Sequence, residues 1–207
     1  MSGIAKIYKT TLDPTKEAVA RAWVGDVKLV GSYRLVDTVD DATGIEVLIA
    51  SDPDGRLVQI PFTYRSQEIN PEQTLTTIEH GVLGTRWVTN ALGDPVAVRE
   101  FIRTILTGDH GATRDDGVEA YLDVHGTGSE KDLQLNDVRL SEITRQRAVG
   151  TVDINGHRRQ FMLRLPHVLA GFKNTGRGHN ATALRLVAPS PQHRDRELLV
   201  AEFNWLE

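Results

Sequence analysis

The sequence predicts an α+β protein dominated by antiparallel sheet, with about nine strands and two principal helices at about 14–24 and 95–107. Three observations carry this expectation. Apolar stripes of period two recur along most of the chain, helical spacing occurs in two stretches, and turn residues separate the stripes.

Both helices begin at an Asp-Pro pair, a capping residue followed by the residue suited to a first helical turn. After Asp13-Pro14, the residues Val19, Ala20, Trp23 and Val24 keep helical spacing. After Asp94-Pro95, the stripe Val98, Phe101, Ile102, Ile105 and Leu106 is that of an amphipathic helix, and Gly108 is a natural stop.

The strands come in order. Leu29, Gly31, Tyr33 and Leu35 share one face, as do Ile45, Val47 and Ile49. Asp52-Pro53-Asp54-Gly55 predicts a turn, after which Val58, Ile60, Phe62 and Tyr64 form the next stripe. Pro61 lacks an N–H, which predicts an edge position or a bulge for that strand. Further on, Val118, Ala120, Leu122 and Val124 alternate, and Val152 and Ile154 run into Asn155-Gly156, a strong hairpin signal. Phe161, Leu163 and Leu165 return from that turn. Leu184 with Leu186, then Leu199, Ala201, Phe203 and Trp205, predict the closing strands. The Gly- and Asp-rich stretch 109–117 is a candidate linker between a half at 1–108 and a β-rich half at 118–207, a division equally compatible with one continuous domain.

Composition narrows the function classes. The chain has 207 residues, with 24 Lys and Arg against 28 Asp and Glu, a net charge of −4 that argues against a whole-protein nucleic-acid binder. The absence of cysteine removes disulfides, thiolate metal sites and Cys nucleophiles. No long apolar run predicts a membrane span or a signal core, so a cytoplasmic location is expected. Phosphate loops, hydrolase elbows and zinc motifs do not occur, and no cofactor or metal is expected. Gly126-Thr127-Gly128 and Gly176-Arg177-Gly178 read as turns. His193-Arg194-Asp195 spells the core of a kinase catalytic loop, but Val200 stands where the magnesium-binding Asn would be needed.

One charge feature stands out. Ile154 to Arg194 contains no acidic residue, yet it carries seven Arg and Lys residues and four of the histidines. Arg158, Arg159, Lys173, Arg177 and His179 are the candidate anion-binding residues, the last three in a Gly-rich segment. The plainer reading is that this stretch faces residues 109–153, where ten acids meet five bases.

The segments Gly31-Ser-Tyr-Arg-Leu35, Gly44-Ile-Glu46 and Ile60-Pro-Phe-Thr-Tyr-Arg65 are followed by Glu79-His-Gly-Val-Leu-Gly-Thr-Arg-Trp-Val88 and Asp94-Pro-Val96. This succession, over about residues 4–107, resembles the maltokinase N-terminal cap-like domain of actinobacteria. The resemblance implies a β-rich cap with flanking helices and no chemistry of its own, since phosphoryl transfer in those kinases belongs to a following domain. It implies a stand-alone relative acting through protein contacts, with a sugar kinase or an α-glucan- or trehalose-metabolising enzyme as partner.

The residues of the longest block read mainly as architecture. Tyr64 and Trp87 are expected to bury large aromatic area, and Gly81 and Gly84 to bracket a tight turn. Glu79 and His80, as strand neighbours, point to opposite faces and cannot converge. Arg86 can meet Glu79 only across the turn. Three functions therefore compete: a non-catalytic interaction or regulatory module, a binding module for a phosphorylated or acidic ligand through 154–194, and an enzyme with an unrecognised site.

Overall fold

The computed structural model describes residues 3–173, 183–193 and 195–207, with only the backbone of Lys173. Two short strands, β1 (Ile4–Ala5) and β2 (Leu12–Asp13), precede α1 (Lys16–Val24). This helix starts later than the Asp13-Pro14 signal predicts. Asp13 is occupied in β2, and the cap is Thr15, whose Oγ1 accepts from Ala18 N–H at 3.2 Å.

Strands β3 (Lys28–Val36), β4 (Gly44–Ser51), β5 (Leu57–Arg65), β6 (Thr74–His80) and β7 (Gly84–Asn90) come next. With β2 they form a six-stranded sheet in the order β2-β6-β7-β5-β4-β3, every pairing antiparallel. The expectation for Pro61 is corrected here: β5 lies inside the sheet, and its register with β4 is unbroken. Gln59 N–H donates to His167 C=O, away from β4, and Pro61, two residues on, has the same parity. The missing N–H therefore costs no bond to β4, and β7 joins only from Phe62 onward.

A 3₁₀ turn at Ala91–Gly93 leads into α2 (Pro95–Thr107), capped by Asp94 and ended by Gly108 as its sequence predicts. Asp94 Oδ1 accepts from Val96 N–H at 3.0 Å, and its two oxygens hold Arg65 in a bidentate pair at 2.7 and 2.8 Å. Next come β8 (Thr113–Arg114), paired parallel with β1, and β9 (His125–Gly126). The predicted strand over 118–124 is not formed. Its alternation reflects packing of Leu122 and Val124 into the core, while Val118 is 55% exposed and no ladder runs along the segment.

The second sheet is built from β10 (Leu135–Ile143), β11 (Arg147–Ile154), β12 (His157–Arg164), β13 (Gly171–Lys173), β14 (Leu184–Pro189) and β15 (Arg196–Leu206). Its order is β10-β11-β12-β15-β14-β9, with β13 also on β15. Asn155 and Gly156 turn the β11–β12 hairpin with φ of 51° and 81°, positive values that both residue types tolerate. The described residues thus form fifteen strands in three sheets, more than about nine because short pairing segments escape a periodicity test.

Two apolar clusters fill the molecule. One joins Ile45, Val47 and Ile49 of β4 to α2 and to Phe161, Leu163 and Phe203 of the second sheet. The other packs Val19 and Ala20 of α1 on Leu48, Ile60, Phe62, Ile78 and Val88. The first sheet is therefore covered by α1 on one face and by α2 with the second sheet on the other. Buried Gln59 ties the sheets together, its amide donating to Pro166 C=O at 2.8 Å and Val200 C=O at 2.7 Å. Among the described residues no helix is long and apolar enough to cross a membrane.

Candidate functional site

The α1 face of the first sheet gathers polar residues from four of the five sequence blocks. Cross-strand partners project to one face, so the register decides which side chains meet. Arg34 opposes Glu46, and Glu46 opposes Phe62, which belongs to the apolar cluster under α1. Tyr64, two residues on, opposes Val88; Arg86, two before Val88, opposes Ile78. His80 lies two residues after Ile78. One face thus carries Arg34, Glu46, Tyr64, His80 and Arg86, drawn from segments scattered over more than fifty residues.

Glu46 is the centre. Its side chain is 3% exposed and takes Lys16 Nζ at 2.6 Å, an Arg34 NH2 at 2.9 Å and Ser32 Oγ–H at 3.0 Å. Burial pushes its carboxyl pKa up, but Arg34 and Lys16 more than offset this and hold it below the ordinary value. Burial also lowers the pKa of Lys16; Glu46 opposes that shift and Arg34 adds to it. Tyr64, whose ring lies 5.7 Å from Lys16 Nζ, has its hydroxyl pKa raised well above normal by burial and then by Glu46. Arg34 Nε is buried and has no acceptor among the described residues.

Beside this cluster lies a cavity of about 580 Å³. Its walls are the N-terminal segment, the loop between β3 and β4, and the ends of β5, β6 and β7. His80 Nδ1 accepts from Val82 N–H (3.2 Å) and Leu83 N–H (3.1 Å), so the imidazole nitrogen facing the turn is unprotonated, and Tyr8 packs on the ring edge-on. Burial, then Arg86, lowers the pKa of His80, and Lys16 contributes in the same direction. The arrangement is a cationic, hydroxyl-bearing recess able to bind and orient a polar ligand. Among the described residues no group of three or more His, Asp or Glu side chains is placed to hold a metal.

The other candidates fall elsewhere. Glu79 points away from His80, is exposed, and accepts from Thr85 Oγ1–H at 2.7 Å. Trp87 lies opposite Arg65, half-buried and outside both apolar clusters, which corrects the expectation of a large buried aromatic. Arg158 pairs with Asp137 across the sheet, and Arg159 stacks 3.9 Å over Trp205. Lys173 is opposite Arg196, whereas the β12 arginines lie beyond the Leu206 end of β15, about 30 Å away along an extended strand. These cations cannot share one small ligand. Arg177 and His179 lie outside the described residues, as does Arg194. Gly126 and Gly128 are close approaches of backbone to α2, Gly128 N–H donating to Ile105 C=O at 2.9 Å.

Sequence reasoning found His80 and Arg86 but passed over Lys16, Arg34 and Glu46 as a group. The available signal was parity: Arg34 shares the face opposite Tyr33 and Leu35, and Glu46 the face opposite Ile45 and Val47. Charged residues inside two apolar strands point to a paired, buried cluster.

Residues 17–94 match the family model described as the maltokinase N-terminal cap domain. That span begins in α1 and ends at the cap residue of α2, and it includes Arg34, Glu46, Tyr64, His80 and Arg86. Among curated proteins none matches the chain.

Proposed function

We infer that this cap-like protein is a non-catalytic module that regulates, through protein contacts, an enzyme of maltose, trehalose or α-glucan metabolism, a sugar kinase first among them. The observation that carries this reading is the match over 17–94, joined in the same chain to a second antiparallel sheet. The matched sheet shares its core with α2 and that second antiparallel sheet, so its α2 face is already closed within the chain. Among the features available to a partner are the exposed Val82 and Leu83 at the β6–β7 turn, beside Tyr8.

The test uses the purified protein with the maltose kinase and the trehalose- and α-glucan-metabolising enzymes of the same host. The expected result is a complex with one of them that alters its KM or rate, and no ATP-dependent phosphorylation of maltose by the protein alone. Turnover by the isolated protein overturns the non-catalytic assignment. Absence of any complex or kinetic effect overturns the partner assignment.

A further inference from the structure

We propose that the cavity on the α1 face, bounded by Lys16, Arg34, His80 and Arg86, binds a phosphate monoester with a hydroxylated body, independently of any partner enzyme. Charge is the first reason. Of the cations lining the cavity, Lys6 is taken up by Asp41. Asp37, the other lining acid, pairs with Arg99, which also meets Glu100 outside the cavity. Lys16 and Arg34 share the single carboxylate of Glu46, which leaves one positive charge. The Arg86 side chain forms no ion pair or hydrogen bond among the described residues and adds its own positive charge.

The excess of positive charge around one recess suits a phosphate monoester, which carries about −1.5 to −2 at pH 7. Guanidinium groups also suit the geometry of phosphate oxygens.

Size and lining point the same way. A volume of about 580 Å³ lies within the range of small-molecule sites and exceeds what a bare phosphate fills. Tyr8, Thr10 and Ser66, all hydroxyl-bearing, stand among the lining residues, and Leu83 and Ile78 add limited apolar surface. Such a lining suits a polyhydroxylated body rather than an apolar one.

The experiment is a calorimetric titration of the whole chain at low ionic strength with glucose 6-phosphate, inorganic phosphate and glucose, paralleled by the NMR signals of His80. Glucose 6-phosphate is expected to bind saturably at one site and to move the His80 signals, with glucose silent and inorganic phosphate weaker. Arg86→Gln is expected to weaken binding about tenfold or more, the loss of one charge-assisted contact, whereas exposed Lys131→Gln leaves it unchanged. Three results overturn the proposal: no saturable binding up to about 10 mM, equal affinity for inorganic phosphate and the ester, or affinity that Arg86→Gln leaves within about twofold. The His80 readout on the unaltered protein decides the matter even if a variant fails to fold.

Discussion

Replacing Glu46 by Gln tests the charge cluster directly. The amide keeps the shape of the side chain and removes its charge, leaving Lys16 and Arg34 without their shared counter-ion. Removing one partner of a buried ion pair costs about 3–5 kcal/mol. Lys16 and Arg34 retain 28% and 16% of their side-chain exposure, so water offsets part of this, and the lower end, about 3 kcal/mol, is expected. Against a total stability of about 5–15 kcal/mol that is a large fraction, equivalent to about 6–12 °C in Tm for a chain of this size.

Urea unfolding at pH 7, followed by tryptophan fluorescence, measures it. The double variant Glu46→Gln/Lys16→Met should recover about 1–2 kcal/mol, because one stranded cation is removed. The pH dependence has a definite sign. Glu46 has a folded pKa below its ordinary value of about 4.3, so its contribution is fully present above that value and is lost as pH falls through the folded pKa. Wild type and Glu46→Gln should therefore converge in stability in acid. A loss below about 1 kcal/mol at pH 7, or a double variant no more stable than the single one, would refute the reasoning.

Two further substitutions probe packing. Phe101→Ala, at a fully buried position of α2, should cost about 3–5 kcal/mol, and half-buried Trp87→Ala less than half as much; equal losses in thermal unfolding would return Trp87 to the core. Gly126→Ala should lower the stability by about 1–3 kcal/mol or more, since an added Cβ would run into the Thr104 carbonyl oxygen of α2. An unchanged unfolding midpoint would show that the helix can shift to admit it.

The places where the linear pattern misleads have identifiable causes. Strand β10 carries Leu135, Val138, Leu140 and Ile143 at spacings that fit neither helix nor strand, because two register shifts against β11 each move the apolar side chains by one position. Strand β6, Thr74-Leu-Thr-Thr-Ile-Glu-His80, is poor in apolar residues because much of it is only half-buried. Asp13 and Thr15 are both capping residues, and pairing of Asp13 with Glu79 in the sheet leaves Thr15 to start the helix. The basic stretch 154–194 stands out in composition, yet Arg158 and Arg159 are engaged with Asp137 and Trp205.

The sequence by itself determined the sheet-dominated class, α2 with both its caps, the Asn155-Gly156 hairpin and the resemblance borne by the five blocks. These are local matters, set by periodicity, by proline and glycine geometry and by capping hydrogen bonds within a few residues. Tertiary structure alone decided that Lys16, Arg34, Glu46, His80 and Arg86 meet around one recess. Their convergence depends on the order and register of strands far apart in the chain, and a one-residue slip would send each side chain to the opposite face.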